Sequence, residues 1–275
     1  MDRKPPRRVR QERPLRFPFG KPTKLIRQVR FRVPSSSVVA PSLLDPVSLH
    51  QTAVSIQPVG SREIAAAALA LEGAPAEEIV AWAAGRFGSG LALTASFQDC
   101  VLIDLAVGVV PDLSVVFLDT QYHFPETLAY VEHVRERYDL DLVVSRPRVG
   151  LDDRWRSDLD GCCAVRKIEP LDRALVGRSA WMSGLRRDEA PARAGTQVVA
   201  RDERRGLVKV NPLATWSDDD VAHYAAERDL PVHPLLASGY RSIGCWPCTT
   251  PVAAGADPRA GRWAASEKTE CGLHL

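Results

Sequence analysis

The sequence predicts an α/β protein with a mostly parallel sheet and helices on both of its faces. Three observations predict it: short apolar runs of strand length, amphipathic stretches between them, and connections too short for any other arrangement. In chain order, 64–71 and 77–87 read as helices, the second carrying Ile79, Val80, Trp82 and Ala83 on helical spacing. Leu91–Ala95 is a short buried strand, 99–109 a helix, and 113–118 a continuous apolar strand. Pro125 suits the first turn of a helix running to about 138, with Glu126 near its positive end. Leu142–Ser145 and Ala180–Ser183 supply two further strands, and Ser217 with Asp220 opens a helix reaching about 229. Such sheets gather ligands beyond the C-terminal ends of their strands, so segments 94–99, 118–120 and 183–187 are expected around a pocket.

The chain of 275 residues divides into an extension, 1–60, a domain, 61–250, and a mobile tail, 251–275. Residues 1–34 hold twelve Lys and Arg against Asp2 and Glu12, a charge of +10; the rest carries −8, and the whole is +2. A basic whole-protein surface for nucleic acid is therefore excluded, and nucleic acid is not expected as a partner. The extension is rich in Pro and Arg and reads as disordered or loosely attached. No apolar run approaches the ~18 residues of a membrane span. Pro34, Pro41, Asp45 and Pro46 break any signal-peptide core, so the expected location is cytoplasmic. Homo-oligomers are compatible with the sequence.

The chemistry is expected at the cysteines. Six of them are too few for a disulfide scaffold, and four are paired: adjacent Cys162 and Cys163, then Cys245 and Cys248 around Trp246-Pro247. The second pair has the spacing that brings two thiolates to one metal centre, and the first completes four ligands. Zinc is the generic alternative, and reduced core thiols are the plainest one. Adjacent cysteines diverge around a single tetrahedral ion and suit the separate corners of an iron–sulfur cluster better.

These cysteines stand among ordered motifs: Leu118-Asp119-Thr120, Phe124-Pro125-Glu126-Thr127, Gly184-Leu185-Arg186-Arg187, Trp216-Ser217-Asp218, His233-Pro234-Leu235, Gly239-Tyr240 to Cys245, and Glu270-Cys271-Gly272-Leu273-His274. Over about residues 75 to 274 the chain resembles the assimilatory adenylyl-sulfate reductases of the phosphoadenylyl-sulfate reductase family. The resemblance implies an adenine nucleotide alpha-hydrolase-like, PP-loop type sheet and one 4Fe-4S cluster per chain on Cys162, Cys163, Cys245 and Cys248. It implies adenosine 5′-phosphosulfate as substrate, sulfite and AMP as products, and Cys271 as the nucleophile that takes the sulfo group. Thioredoxin or a similar separate dithiol protein is implied as reductant. Lys167, Arg193, Arg259 and Arg262 match phosphosulfate contacts, Ser96 the phosphate loop, and Asp119, Thr120 and Gly184 the adenosine side. Members lacking the two cysteine pairs use the 3′-phosphorylated substrate, and some cluster-bearing relatives accept both.

One departure from the family is the loop Ser96-Phe97-Gln98-Asp99, about one residue short and with Phe where a small residue is usual, although close backbone approach to phosphate favours Gly. Cys100, beside Val101 and Ile103, reads as core. His123, His133 and His223 read as structural or exposed; His274 follows the nucleophile without an evident partner. Trp246 and Trp263 read as packing around the cysteines. Arg166, Arg187, Arg204 and Arg205 are expected as solvated surface charges. An ATP pyrophosphatase on the same fold is a competing reading, but the chain lacks a Ser-Gly-Gly loop at residues 96–98. A zinc or nucleic-acid-binding protein without catalysis is the third.

Overall fold

The protein is described by a computed structural model covering residues 59–274. Most of the basic extension, residues 1–58, lies outside the described residues.

The described residues begin with helices α1 (Ser61–Leu71) and α2 (Ala76–Phe87), then alternate β1 (Leu91–Ala95), α3 (Val101–Val109), β2 (Val115–Leu118), α4 (Pro125–Tyr138) and β3 (Leu142–Ser145). Three short helices follow: α5 (Arg154–Ser157), α6 (Leu159–Cys163) and α7 (Glu169–Ala174), with a π-helical turn, Ala164–Ile168, joining the last two. Strand β4 (Ala180–Ser183), the hairpin β5 (Val199–Asp202) and β6 (Leu207–Val210), and helix α8 (Asp218–Glu227) complete the body. Among the described residues no helix is long and apolar enough to cross a membrane.

The six strands lie in the order β3-β2-β1-β4-β6-β5, all parallel except β5, which pairs antiparallel with β6. Alternation along each strand divides the core. Leu91, Leu93, Val115, Phe117, Ala180 and Met182 face α1 to α4 and α8. Ala92, Val116 and Trp181 face the opposite way, onto Leu171 of α7, Leu175 and Leu273 of the C-terminal tail. Helices thus cover both faces as expected, and the tail fills part of the thinner layer.

The expected strands 91–95, 142–145 and 180–183 and the helix from Pro125 to 138 coincide with the observed elements. Helix α3 begins two residues later than expected because the Asp99 carboxylate accepts a hydrogen bond from the Val101 amide at 3.1 Å, capping the first turn from outside it. Ser217 caps α8 as its spacing predicts: its hydroxyl accepts from the Asp220 amide while the Asp220 carboxylate accepts from the Ser217 amide.

Chain order runs from β1 outward to β2 and β3, then returns across β1 to β4. The point where the order reverses lies between β1 and β4, and the loops after β1, β2 and β4 open there.

Candidate active site

A cavity of about 210 Å³ opens over these strand ends. The loop after β1 forms one wall. Phe97 stands at φ +56°, in the left-handed region that costs a side-chain-bearing residue about 1–2 kcal/mol. Its fully buried ring, edge-on to Phe117 at 5.3 Å, holds the loop in place. The short loop thus reaches the glycine-like conformation through packing. Gln98 ties it to the cysteine segment by accepting from the Ile243 amide at 2.9 Å. Burial raises the Asp99 carboxyl above its ordinary value.

Ser96, Thr120, Lys167, Gly184, Arg193, Arg259, Arg262 and Cys271 all line this cavity, so eight of the nine non-cluster positions expected from sequence come together. Asp119 does not line it. Its carboxylate accepts from Arg146 at 2.8 Å and from the Gln121 amide at 3.0 Å, fixing the turn that presents Thr120. Gly184 sits at the switch point, where a Cβ would lie 3.8 Å from Leu102.

The four paired cysteines meet beside this cavity. The Asp158 side chain caps α6 by accepting from the Gly161 amide at 2.7 Å. Glycine at 161 leaves room for this cap, because a Cβ there would stand 2.0 Å from the other Asp158 carboxylate oxygen and push the side chain away. Cys162 packs with Tyr122 and Cys245, and Cys163 with Trp263, Cys248 and Cys271. All four line one small second cavity walled by Tyr122, Trp155 and Trp263. Thr120 Oγ1 lies 3.2 Å from Cys245 Sγ, placing the second cavity directly behind the first. Burial pushes the Cys163 thiol up to about 11. Among the described residues no three His, Cys, Asp or Glu side chains converge on a single ion.

The π-helical turn sets Lys167 between the two cavities and Arg166 in the wall of the second; such turns are frequent at functional sites. Arg166 is 1% exposed, which corrects its expectation as a surface charge. Its guanidinium lies 4.4 Å over the Tyr122 ring, donates to Gln121 Oε1 at 3.0 Å and pairs with Asp152 at 3.3 Å. Arg205 departs likewise: its side chain is buried and pairs with Asp172 at 2.7 Å and Asp202 at 2.9 Å. Arg187 and Arg204 are the more exposed pair, matched to Glu72 and Asp172. Lys167 makes no hydrogen bond among the described residues. Burial works to lower its pKa, but the sulfurs of Cys245 and Cys271 outweigh it and hold the ammonium above its ordinary value.

The C-terminal tail is folded into the site. Thr250 and Gly261 pair through backbone, as do Cys248 and Trp263. The close approach needs Gly261, since a Cβ would sit 2.0 Å from the Thr250 carbonyl oxygen. Arg262 stacks on Trp263 at 4.6 Å and donates to Ser242 at 3.2 Å. Cys271 is 9% exposed. Beyond it Gly272 turns at φ +77°, Leu273 enters the core and His274 stacks on Trp181 at 5.8 Å. Burial first, and the charge of Lys209 second, hold His274 neutral well below its ordinary pKa.

Polar satisfaction is poorest in this cavity. Arg262 Nε, Trp263 Nε1, His274 Nδ1 and His123 Nδ1 line it or its rim and are buried with no partner among the described residues. An unpaired buried polar group costs about 1–3 kcal/mol, and four around one hollow mark a place built for a polar ligand. Sequence reasoning passed over Lys209, buried 5.0 Å over the Trp181 ring with its pKa lowered to about 8 by burial. Its only signal is a lone cation in the apolar run Leu207–Val210.

The sheet order, with its cavity at the switch point, defines an adenine nucleotide alpha-hydrolase-like fold of PP-loop type. Residues 91–251 match the family model of the phosphoadenosine phosphosulfate reductase domain, and the chain belongs to that family. Over 212 residues it is 47% identical to the adenosine 5′-phosphosulfate reductase of Streptomyces coelicolor, covering 74% of this chain and 90% of that protein. It is also 47% identical, over 214 residues, to the phosphoadenosine 5′-phosphosulfate reductase of Gloeobacter violaceus, covering 72% and 88%. The crystal structure of phosphoadenylyl-sulfate reductase from Candida auris in its phosphate complex superposes with a TM-score of 0.63 at 28% identity, covering 70% of this chain and 98% of that one.

Proposed function

We propose that the protein reduces adenosine 5′-phosphosulfate to sulfite and AMP in assimilatory sulfate reduction. The carrying observation is a nucleophilic thiol, Cys271, in the same cavity as the unpaired polar groups and the cations Lys167 and Arg262. A phosphosulfate is a compact dianion, and charge-assisted donors of this kind suit it.

Lys167 and Arg262 hold the phosphosulfate, with Ser96 on the phosphate side and Thr120 and Gly184 toward the nucleoside. Cys271 attacks as its thiolate, the nucleophilic form of the group. Its sulfur forms a bond to the sulfate sulfur as the bond from that sulfur to the bridging oxygen breaks. The bonding pair leaves with AMP, and Cys271 carries an S-sulfo group. A dithiol, thioredoxin or a similar protein, then attacks the Cys271 sulfur, releases sulfite with the pair of the S–S bond, and closes to a disulfide. That dithiol supplies both electrons.

Cys162, Cys163, Cys245 and Cys248 would hold a 4Fe-4S cluster. Four thiols around one aromatic-walled hollow, with no carboxylate among its lining residues and with buried Arg166 and half-buried Lys167 in its wall, suit an anionic thiolate cluster. When bound, it supplies an electrostatic and organising influence next to the phosphosulfate site.

Anaerobic protein with reduced thioredoxin and adenosine 5′-phosphosulfate is expected to yield sulfite and AMP in equal amounts. The 3′-phosphorylated substrate is expected to turn over at least tenfold more slowly in kcat/KM. Equal rates would make the enzyme dual-specific, and no sulfite from either would refute the reading.

A further inference from the structure

Of the four cations expected to hold the phosphosulfate, two are already engaged. Arg193 grips Glu270 through two parallel hydrogen bonds, Nε to Oε1 at 2.7 Å and Nη2 to Oε2 at 2.8 Å. Its remaining Nη1 donates to Glu189, whose carboxylate also accepts from the Arg186 amide at 3.1 Å. Arg259 donates to Glu270 at 3.2 Å and to the Thr269 carbonyl at 2.9 Å. The Arg193 and Glu270 side chains are each 13% exposed, so the pair is partly withdrawn from water, and the planar fork fixes direction as well as charge. By contrast Lys167 has no hydrogen bond and Arg262 Nε no partner among the described residues.

We propose that Arg193 is a positioning residue, the seat of the C-terminal tail: it grips Glu270, with Arg259 in support, and so fixes the sulfur of the next residue, Cys271, at the cavity. Every nitrogen of the Arg193 guanidinium is spent on a carboxylate, and the charges of Arg193 and Arg259 are already offset by Glu189 and Glu270. A dianion is poorly served there and well served at Lys167 and Arg262. On the other side of the sulfur, Gly272 turns the chain so that Leu273 and His274 dock on the sheet. Cys271 is thus held from both neighbours, and the chain Arg186, Glu189, Arg193, Glu270 joins the loop after β4 to the nucleophile. Loss of the grip frees the tail. The inference takes Cys271 to be the nucleophile of the proposed reaction, but the grip itself is measurable without substrate.

The test is the alkylation of Cys271 by iodoacetamide in anaerobic holoprotein, read by peptide mapping as a ratio to Cys100, which is buried in the core. Glu270→Gln and Arg193→Gln are each expected to raise the Cys271 to Cys100 ratio at least about tenfold, and the double variant no further than Glu270→Gln alone, because the grip between the two side chains is lost in all three and Glu270→Gln also weakens the Arg259 contact. An unchanged ratio, a joint rise of both cysteines, or multiplying effects in the double variant would overturn the proposal. In turnover, Arg193→Gln is expected to lower kcat with KM for adenosine 5′-phosphosulfate within twofold. A raised KM at unchanged kcat would place Arg193 on the substrate instead. The alkylation result stands whether or not adenosine 5′-phosphosulfate proves to be the substrate, so failure of the grip and failure of the reaction assignment give different readings.

Discussion

Cys271→Ser is expected to lower sulfite release by more than about 10³-fold and to leave the visible absorbance of the proposed iron–sulfur cluster unchanged. A serine hydroxyl is a far weaker nucleophile than a thiolate at neutral pH. Of the groups beside residue 271 that could act as a base, Glu270 is spent on Arg193 and Arg259, and His274 is stacked on Trp181. The second half of the expectation follows from the division among the cysteines. Cys162, Cys163, Cys245 and Cys248 all line the small cavity, Cys245 reaching the large one as well, whereas Cys271 lines the large one alone. Colour lost with Cys271 would place it among the ligands.

Lys167→Met lowers kcat/KM for adenosine 5′-phosphosulfate by about 10²–10³, about 2.7–4 kcal/mol, the range for removing one preorganised charge-stabilising donor. Methionine keeps much of the unbranched stem's volume and removes the charge, so the change isolates electrostatics from packing. Lys167 lies between the two cavities without a hydrogen-bond partner of its own, and its charge is held by the surrounding sulfurs. Substrate therefore gains its full interaction. Steady-state kinetics against the parent protein checks this, and a loss under threefold would remove Lys167 from the phosphosulfate site.

Sheet and site were legible from sequence to different degrees. Strands β1 and β4 show as continuous apolar runs, as buried parallel strands do, and β3 shows the same run although it lies at the sheet edge with Val143 and Val144 exposed. The hairpin of β5 and β6 was missed because Arg201, Asp202 and Lys209 interrupt the apolar signal. Those charges are satisfied in three dimensions: Asp202 accepts from Trp181 Nε1 at 3.0 Å and pairs with Arg205. Helices α5 to α7, which carry the first cysteine pair, are four to six residues long and too short to show a helical period. The ordered motifs fixed the cysteines and cations of the site, but not which cations are free. Arg166 and Arg205 looked like solvent-facing charges because burial of an Arg depends on partners far away in sequence, such as Gln121 for Arg166 and Asp172 for Arg205. The same holds for Arg193, whose partner Glu270 lies 77 residues on.

The account rests on Cys271 taking the sulfo group from the nucleotide. Anaerobic protein mixed with adenosine 5′-phosphosulfate, with no dithiol present, and examined by intact mass and peptide mapping, tests this directly. The expected result is one added SO3 per chain, confined to the peptide containing Cys271 and released as sulfite on addition of reduced thioredoxin. An unmodified chain, or an adduct on Cys100 or on any cysteine of the two pairs, would contradict it.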